Sequence, residues 1–320
     1  MKILVTGAAG FAGAHIVEEI LETTDWEVVA LDCLTYAGRL DRLAHLDRKR
    51  IQFVYHDIRE PFSSARLKQI GNVSYVIHNA AESHVMRSFA NPKLFVESNA
   101  IGTLNVLEAA RRMTLSSFIY VSTDEVLGSA QEVPFVESDP MNPTNPYAAT
   151  KACGELLAYS YFRSFGLPVV ITRTMNMFGE RQHPEKFVPM TIKKILNGEI
   201  VKIHGYFNRG LWISGSRHWL HARAQANALL FLLKHGTRGE KYHISGEEYS
   251  NWELAHRIAH ILNMVINSEG AAPLGPVHDI AYSLNGNKLK NLGWKSPASF
   301  DESLKQTVLF TKEHPEYLEE

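Results

Sequence analysis

The chain has 320 residues, of which 45% are hydrophobic, and its 33 basic and 34 acidic side chains give a formal net charge of −1. A near-neutral protein has no overall field that would hold nucleic acid or an anionic membrane, so both classes of partner are excluded. The longest near-continuous apolar stretch, residues 228–233, is far too short to span a membrane. Because the sequence shows no signal peptide and only two cysteines, we expect a cytoplasmic protein.

Short apolar runs alternate with helical patterns along the first half of the chain. The runs predict strands of a parallel sheet, since strands covered on both faces are apolar at successive positions. They cover residues 3–5, 28–31, 51–54, 75–77, 118–121 and 169–172. Helical spacing of apolar residues follows at residues 16–21, 100–112 and 147–165. This alternation predicts an α/β fold with a doubly wound parallel sheet.

The rhythm changes after about residue 179, where polar loops separate shorter predicted helices. These helices cover residues 188–196, 222–234 and 252–262. We expect a first domain at residues 1–178 and a smaller lobe at residues 179–320, with some segments of the lobe returning to the first domain. Residues 206–216 combine three aromatic residues with Gly, Asn and Ser, and they are predicted to form an exposed loop.

The segment Gly7-Ala8-Ala9-Gly10-Phe11-Ala12-Gly13 follows the first predicted strand and opens the first helix. Glycines here let the backbone turn tightly and approach a pyrophosphate, whose charge then lies at the free N–H groups of a helix N-terminus. A glycine-rich turn can also be an ordinary loop. With strand, helix and a following acidic residue all in register, the segment predicts a Rossmann-type dinucleotide site in residues 1–178.

That acidic residue, Asp32, ends the second predicted strand, where a carboxylate can accept hydrogen bonds from an adenosine ribose. The same carboxylate would repel a 2′-phosphate, which favours NAD over NADP. Arg39 and Arg42 follow closely, and they leave NADP open.

Tyr147 and Lys151 are four residues apart, which places both on one face of a helix. A nearby cation stabilises a phenolate, so we expect Lys151 to lower the pKa of Tyr147 and to make the phenol a usable base. An exposed Tyr–Lys pair on a surface helix is the ordinary alternative. The position of the pair, directly after Pro143-Thr144-Asn145-Pro146 and following the fifth strand and a loop, argues against that alternative.

The fifth strand runs into Ser122-Thr123-Asp124-Glu125, a cluster of two hydroxyls and two carboxyls. Ligands of open α/β sheets bind beyond the carboxyl ends of strands, so the cluster lies where chemistry is expected. Because neighbouring carboxylates repel each other, we expect one of them to stay protonated and to act as an acid. An Asp–Glu pair at a strand end can also be a turn or a helix cap.

Together these residues resemble the extended short-chain dehydrogenase/reductases, and more narrowly the nucleotide-sugar 4,6-dehydratases of the dTDP-glucose type. The supporting segments are GAAGFAG at 7–13, LTYAG at 34–38, HDI at 56–58, AAESHV at 80–85, STDEV at 122–126, PEKFVP at 184–189 and LGW at 292–294. The triplet Thr123-Asp124-Glu125 discriminates best. Related C4-epimerases generally lack both carboxyls, and nucleotide-sugar decarboxylases typically have Thr-Ser-Glu.

The resemblance implies a mechanism in which Tyr147 takes the proton of the sugar 4-hydroxyl while hydride leaves C4 for NAD. Glu125 would then remove the C5 proton, and Asp124 would protonate the departing C6 hydroxyl before hydride returns to C6. Thr123 would bind the 4-oxygen, and Lys151 would hold Tyr147 and the nicotinamide ribose. A 4-epimerase or decarboxylase on the same scaffold, or a non-catalytic NAD-binding protein, remains an alternative.

The resemblance also implies binding residues. For the cofactor they are Gly7, Gly10, Phe11, Ala12, Gly13, Asp32, Leu34, Thr35, Asp57, Ile58, Ala80, Ala81, Ser83, Asn99, Ser122, Tyr147 and Lys151. For a nucleotide-diphospho-sugar they are Ser83, His84, Thr123, Asn176, Lys186, Phe187, Arg217, Asn251 and His278. No metal is expected, since His256 and His260 have helical spacing but no third ligand. A homodimer through helices 99–112 and 147–165 is expected, with buried internal helices as the alternative.

Several positions depart from the pattern of the resembled family, mainly on the substrate side. They are Met86, Leu127, Met175, Met177, His218, Gly275 and Ala281. Methionines beside a sugar pocket would make it more apolar and adaptable. These departures predict a substrate whose nucleotide or sugar differs from dTDP-glucose.

Overall fold

The computed structural model describes residues 1–129, 133–208, 211–271 and 283–319. Six strands from the first half of the chain form the main part of its central sheet. They are β1 (Lys2–Thr6), β2 (Glu27–Asp32), β3 (Ile51–Tyr55), β4 (Tyr75–His78), β5 (Ser117–Thr123) and β6 (Val169–Thr174). Their order across the sheet is β6-β5-β4-β1-β2-β3, and every pair is parallel. All six predicted strands are confirmed.

This strand order places a crevice at the carboxyl ends of β1 and β4. The chain leaves β1 towards β2 on one side, and the next strand on the other side is β4. Because the two connections run in opposite directions, their loops separate above this point, which is where open α/β sheets bind ligands. The predicted cofactor loop follows β1, and the predicted catalytic cluster follows β5, one strand beyond β4.

Helices cover both faces of the sheet. They are α1 (Phe11–Thr23), α2 (Ser64–Ile70), α3 (Val85–Ala90), α4 (Pro92–Phe95), α5 (Gly102–Ala110) and α6 (Pro146–Phe165). The helix predicted at residues 100–112 is confirmed as α5, which continues from a π-helical stretch, Val96–Ile101. Val106 of α5 and Ala158 of α6 pack in one apolar core, whereas Ile16 and Ile20 of α1 pack in the core on the opposite face.

The second half of the chain forms a smaller lobe and returns twice to the sheet. Its elements are β7 (Asn176–Phe178), α7 (Phe187–Leu196), β8 (Val201–Asn208), β9 (Leu211–Ser214), β10 (Ser216–His221), α8 (Ala222–His235), β11 (Lys241–Ile244), β12 (Glu247–Ser250), α9 (Asn251–Leu262), β13 (Ser268–Ala271), α10 (Asn287–Asn291) and α11 (Phe300–Glu313). β11 extends the main sheet beside β6, and α8 shares a core with α1. The remaining strands form two small sheets, β12-β10-β7 and β13-β8-β9. The predicted fold class and the three predicted helices of the lobe are confirmed.

The exposed loop predicted at residues 206–216 is wrong. This stretch belongs to an antiparallel hairpin of β8 and β9, followed by the start of β10. The ring of Trp212 covers two glycines, because a Cβ added to Gly205 or Gly270 would lie 2.7 or 2.8 Å from it. Aromatic residues favour strands, and here that preference outweighs the turn formers. Among the helices of the described ranges, none has the length and apolar composition needed to cross a bilayer.

Candidate active site

The loop between β1 and α1 is the predicted glycine-rich segment, and its glycines are required by close approach. Gly7 has a φ of +70°, and its N–H donates to the carbonyl of Leu31 at 2.8 Å. A Cβ on Gly7 would lie 2.8 Å from the Cα of Ala80, and a Cβ on Gly13 would lie 1.9 Å from the carbonyl oxygen of Gly7. Larger residues at these two positions would therefore push the loop away from its neighbours.

The carboxylate of Asp32 is held at the cleft by two backbone N–H groups. Its Oδ2 accepts from the N–H of Ala9 at 2.9 Å, and its Oδ1 accepts from that of Leu34 at 2.8 Å. The carboxylate thus ties the glycine-rich loop to the segment after β2. This geometry is compatible with the predicted contact to an adenosine ribose.

In the structure, the two arginines that left NADP binding possible are both engaged with other groups. Arg39 is partly exposed, and its guanidinium forms an ion pair with Asp41 at 2.6 Å. Arg42 is 2% exposed, and its guanidinium donates to backbone carbonyls, including that of Ala9 at 3.1 Å. Both guanidinium groups are engaged, so the choice at this site falls to the Asp32 carboxylate, which disfavours a 2′-phosphate.

A cleft of about 690 Å³ joins the glycine-rich loop to the catalytic cluster. Most predicted site residues line it: Gly7, Gly10, Phe11, Ala12, Asp32, Thr35, Asp57, Ile58, Ala80, Ala81, Ser83, Ser122, Thr123, Asp124, Glu125, Tyr147, Lys151, Asn176 and Lys186. Other predicted residues lie outside its lining: Gly13, Leu34, His84, Asn99, Phe187, Arg217 and Asn251. Its lining includes both the glycine-rich loop and the catalytic cluster, as a site that holds a cofactor next to a substrate requires.

A dinucleotide fits the cofactor end of this cleft. Ser122 is buried at the end of β5, and its Oγ has no hydrogen-bond partner within the described part of the chain. A buried hydroxyl without a partner is costly, so it is suited to a ligand's polar group. The bare backbone at Gly7 and Gly10 allows a phosphate to approach the N-terminus of α1.

Asn99 lies behind the cleft wall and positions it. Its Nδ2 donates to the carbonyl of Glu82 at 2.9 Å and to the Oγ1 of Thr150 at 3.0 Å, while its Oδ1 accepts from the N–H of Glu82 at 2.9 Å. The amide therefore joins the loop after β4, which lines the cleft, to helix α6. The Asn99 side chain is 1% exposed. It would therefore affect a bound cofactor through the loop that it positions.

Asp124 has the environment of a carboxyl that takes up a proton readily. It is 4% exposed, and its Oδ2 has no hydrogen-bond partner among the described residues. The hydroxyl of Thr123 donates to its Oδ1 at 3.0 Å. Burial raises the pKa of Asp124 to about 6, and the bond from Thr123 opposes that shift. The direction agrees with the expected acid, but its main cause is burial, whereas repulsion between the two carboxyls was expected.

Glu125 is positioned by a residue that the sequence analysis missed. Its Oε2 accepts from the Nδ2 of Asn145 at 2.9 Å, and the Oδ1 of Asn145 caps helix α6 by accepting from the N–H of Ala148 at 2.8 Å. The side chain of Asn145 thus caps the helix that carries Tyr147 and also holds the carboxylate of Glu125. The signal was available, since Asn before Pro is typical of a helix start.

Lys151 is a buried residue of the cleft lining. Its Nζ donates to the carbonyl of Val121 at 2.6 Å and lies 4.6 Å from the centre of the Tyr120 ring. Burial lowers its pKa to about 7, and the charge of Glu155, one helical turn later, opposes this shift. A carbonyl and an aromatic face therefore support the ammonium.

The expectation that Lys151 lowers the pKa of Tyr147 is wrong. The phenol is 8% exposed, and its pKa lies above the ordinary value because the group is buried and faces the carboxyls of Glu125 and Asp124. The opposing influence is a hydrogen bond with the side chain of Thr123. Since the ammonium of Lys151 is directed to a backbone carbonyl, it does not offset the burial of the phenol.

The substrate end of the cleft contains an ionic cluster around Glu185, which the sequence analysis did not single out. Lys186 precedes α7, and its Nζ lies 3.5 Å from Glu185 Oε1. His84 Nε2 and Arg87 Nη2 lie 3.5 and 3.8 Å from Glu185 Oε2. Lys186 and Glu185 come from the lobe, whereas His84 and Arg87 come from the loop and helix after β4. The cluster therefore spans the two sides of the cleft.

Three further predicted substrate contacts come from the lobe. The ring of Phe187 packs 5.6 Å from that of Trp219 in the lobe core. Arg217 and Asn251 converge at Gly215, because a Cβ added there would lie 4.0 Å from Arg217 Nη1 and 3.6 Å from Asn251 Nδ2. An arginine and an amide side by side suit a diphosphate. Their predicted roles stay predictions.

Two of the departures from the family pattern are one packing change. Leu127 and Met175 are both buried in a small apolar cluster with Val126 and Ala152. Met175 and Met177 both line the cleft. The predicted site residue His278 and the departures Gly275 and Ala281 lie outside the described residues.

The described residues contain no group of three or more His, Cys, Asp or Glu side chains that could hold a metal ion. His256, one of the two histidines weighed as ligands, uses its Nδ1 to donate to the carbonyl of Trp252 at 2.8 Å.

Comparison with known proteins places this geometry in a family. A model of the NAD dependent epimerase/dehydratase family matches residues 3–245. The low-salt glycan biosynthesis protein Agl12 of Haloferax volcanii is 40% identical, over 96% of this chain and 97% of its own, and a dTDP-glucose 4,6-dehydratase of Streptomyces niveus is 38% identical, over 96% and 92%. The structure of DesIV, a dTDP-glucose 4,6-dehydratase from Streptomyces venezuelae with NAD bound, has 37% identity and a TM-score of 0.90, covering 100% of this chain and 99% of its own. A UDP-glucose 4-epimerase from Thermotoga maritima has 27% identity and a TM-score of 0.87, covering 98% and 100%. The chain therefore belongs to the NAD-dependent epimerase/dehydratase family of extended short-chain dehydrogenase/reductases, and its cofactor is NAD.

Proposed function

We propose that this protein is a nucleotide-hexose 4,6-dehydratase, which converts a nucleotide-diphospho-hexose to its 4-keto-6-deoxy product. The observation that carries the proposal is the pair of carboxyls, Asp124 and Glu125, in the same cleft wall as Tyr147. Eliminating water between C5 and C6 requires one group that removes a proton and another that supplies one. Inverting C4 requires neither carboxyl, so the pair favours dehydration over epimerisation.

The cofactor would be held by the glycine-rich loop, Asp32 and the loop after β4, with Ser122 beside the reacting end. When bound, NAD⁺ supplies an acceptor for the C4 hydride that can return it to C6, and a positive charge that favours ionisation of a phenol in contact with it. The protein would hold the hexose so that the 4-hydroxyl faces Tyr147 and C5 faces Glu125. Holding reacting groups in one geometry removes much of the entropic cost of the reaction.

Tyr147 would take the proton of the 4-hydroxyl, and Thr123 would donate a hydrogen bond to the same oxygen. Thr123 and Tyr147 both line the cleft, which supports their meeting at one oxygen of the sugar. Oxidation at C4 then gives a ketone, which acidifies the neighbouring C5–H because the carbonyl stabilises the carbanion. Without that ketone the C6 hydroxyl would be a poor leaving group.

Glu125 would remove the C5 proton and return it to C5 as hydride adds to C6, and Asp124 would protonate the C6 hydroxyl as it leaves as water. The proton that Tyr147 took would then restore Asp124 for the next turnover. The different surroundings of the two carboxyls support this division. Asp124 is 4% exposed and has a pKa near 6, which suits a group that gives up a proton near neutral pH. Glu125 is held by the amide of Asn145, which donates to the carboxylate and so favours its charged form.

We further infer that the nucleotide or hexose differs from dTDP-glucose. Met175 and Met177 line the cleft on either side of Asn176, and Leu127 packs in one apolar cluster with Met175. The proposed division of labour assigns NAD mainly to residues 1–178 and the nucleotide sugar mainly to residues 179–320. Selective turnover of dTDP-glucose over other nucleotide hexoses would contradict the substrate inference.

We also propose a cytoplasmic homodimer. The outer face of the helical layer carries large exposed apolar side chains: Val96, Ile101, Leu156 and Tyr159. A second copy related by a two-fold axis could cover this face and complete a four-helix bundle. Light scattering should give twice the mass of one chain, and replacing Leu156, which is 60% exposed, with Asp should give the mass of one. A wild-type protein that stays monomeric at micromolar concentration would contradict the dimer.

The activity test incubates purified protein separately with dTDP-glucose, UDP-glucose and UDP-N-acetylglucosamine, without added NAD, and follows each by mass spectrometry. A product lighter by one water is the expected result, and the reactive nucleotide identifies the substrate. Unchanged mass with inverted C4 by NMR would support epimerisation instead. Unchanged mass and configuration for all three would favour the non-catalytic NAD-binding alternative.

A further inference from the structure

Arg42 is a buried charge that does not contact the catalytic groups. It lies in a 3₁₀ turn, Leu40–Leu43, and is 2% exposed. A guanidinium removed from water must find partners for its N–H groups, or its burial is very costly. Here the partners are backbone carbonyls: Nη1 donates to Ala9 at 3.1 Å and to Ala37 at 2.5 Å, and Nε donates to Arg181 at 3.0 Å.

These carbonyls belong to segments far apart in the chain that meet at the cleft. Ala9 lies in the glycine-rich loop, whose neighbours Gly7 and Gly10 line the cofactor end. Ala37 lies in the segment after β2 and lines the same end. Arg181 belongs to the connector, defined here as residues 179–186 between β7 and α7. One guanidinium therefore holds two cofactor loops and the connector together.

The connector reaches the substrate end of the cleft. It presents Gln182, His183, Glu185 and Lys186 to the lining. Its first half is polar yet buried, with Glu180 and Arg181 at 6% and 8% exposure. Movement of the first half would therefore move the groups that line the substrate end.

The conformation of Arg181 needs support from outside the connector. Its φ of +63° is a left-handed conformation that a residue with a side chain keeps only when its surroundings impose it. The carbonyl of Arg181 accepts from Arg42, and its guanidinium forms an ion pair with Glu18 of α1. Next to it, the carbonyl of Glu180 accepts from Nε2 of His15, also on α1.

We propose that Arg42 is a positioning residue that couples the cofactor end of the cleft to the substrate end, so that NAD binding orders the connector. Fixing the glycine-rich loop around NAD fixes the carbonyl of Ala9, which restrains the guanidinium and, through it, Arg181. By linkage, a nucleotide sugar that orders the connector would strengthen NAD binding by the same factor. The inference requires NAD binding but not dehydration, so it can be tested without any sugar nucleotide.

The test is hydrogen–deuterium exchange of the full-length protein, with NAD removed and with saturating NAD, read by mass spectrometry. In wild-type protein we expect NAD to slow exchange both at residues 7–13 and in the connector. With R42M, saturated with NAD, we expect slowing at residues 7–13 to persist, while slowing in the connector falls by about 5-fold or more. R39M is the matched control, because the guanidinium of this neighbouring, partly exposed arginine is paired with Asp41 and not with the connector, and it should behave as wild type.

R42K keeps the charge but lacks the guanidinium fork, so it serves if R42M does not fold. We expect it to lose part of the connector's response to NAD. Connector slowing by NAD that is unchanged in the folded variant would overturn the proposal. Exchange that rises throughout the central sheet, with the NAD response of the connector intact, would also overturn it, since that pattern indicates a purely structural role.

Discussion

The two ends of the cleft present different kinds of groups to a ligand. At the cofactor end the ligand-facing surface is mostly backbone: bare glycines, the N-terminus of α1, and a carboxylate that is itself held by backbone N–H groups. At the substrate end the ligand-facing surface is mostly side chains, with Lys186 and Arg87 beside the carboxylate of Glu185. Backbone geometry tolerates few residue types, whereas an ionic cluster can be built in many ways. One scaffold can therefore keep its cofactor while its substrate changes.

The largest effect is expected from a substitution in the glycine-rich loop, at the cofactor end of the cleft. A Cβ at Gly13 would lie 1.9 Å from the carbonyl oxygen of Gly7, so Gly13→Ala must separate α1 from the loop. We expect the variant to lose bound NAD, measured as nicotinamide retained after gel filtration. Gly198→Ala is the control, because Gly198 has a φ of +69° but open space around it. It should lose about 1 kcal/mol of stability and keep NAD. Retention of NAD by Gly13→Ala would contradict the role of close packing.

The next effect separates oxidation from dehydration. Glu125→Gln should lower the rate of water loss by about 10²- to 10⁴-fold, because general acid–base catalysis is typically worth that much. Oxidation at C4 should continue, so reduced nicotinamide should accumulate and be visible by its absorbance. Asp25→Asn, at an exposed acid, should leave both steps unchanged. Loss of C4 oxidation and dehydration together would count against the separate role of Glu125.

A third prediction concerns the stability of the catalytic cluster. The pKa of Asp124 is raised from 3.8 to about 6, which corresponds to about 3 kcal/mol. Because the folded state holds the proton more tightly than the unfolded state, wild-type stability falls as pH rises from about 4 to above 6. Asp124→Asn, which resembles the protonated form, should therefore be more stable than wild type at pH 8 by up to that amount.

Urea unfolding of both proteins at pH 4 and pH 8 measures this difference. It should be much smaller at pH 4, where the Asp124 carboxyl is protonated in the folded state and close to half protonated in the unfolded state. An Asp124→Asn variant that is less stable than wild type at pH 8 would show that the charged carboxylate is stabilised in the fold.

The smallest effect tests positioning. Asn145→Ala removes a helix cap, worth about 1 kcal/mol, and the amide that holds Glu125. We expect about 10-fold slower dehydration, because a base that is misplaced loses part of its advantage. Ser63→Ala removes the cap of α2, far from the catalytic cluster, and should lower stability by a similar amount without slowing turnover. Equal loss of activity in both variants would indicate a general effect of helix capping.

Local sequence patterns predicted the parts of the molecule that depend on neighbours in the chain. The six strands, the glycine-rich loop and the Tyr147–Lys151 spacing follow from periodicity and motif position alone. Interactions between distant segments could not be predicted that way. The bond from Lys151 to Val121 joins residues 30 apart, and that from Arg42 to Arg181 joins residues 139 apart. The pKa of Tyr147 is raised by burial, which depends on the whole fold. The spacing of Tyr147 and Lys151 alone therefore could not predict it.

The central claim is that Asp124 and Glu125 turn C4 oxidation into loss of water with return of the same hydride. The most direct measurement uses a reactive nucleotide hexose carrying deuterium at C4, converted by wild-type protein and analysed by mass spectrometry and NMR. We predict a product that has lost one water and carries the deuterium at C6. Deuterium that stays at C4, with that carbon inverted and no loss of water, would contradict the account.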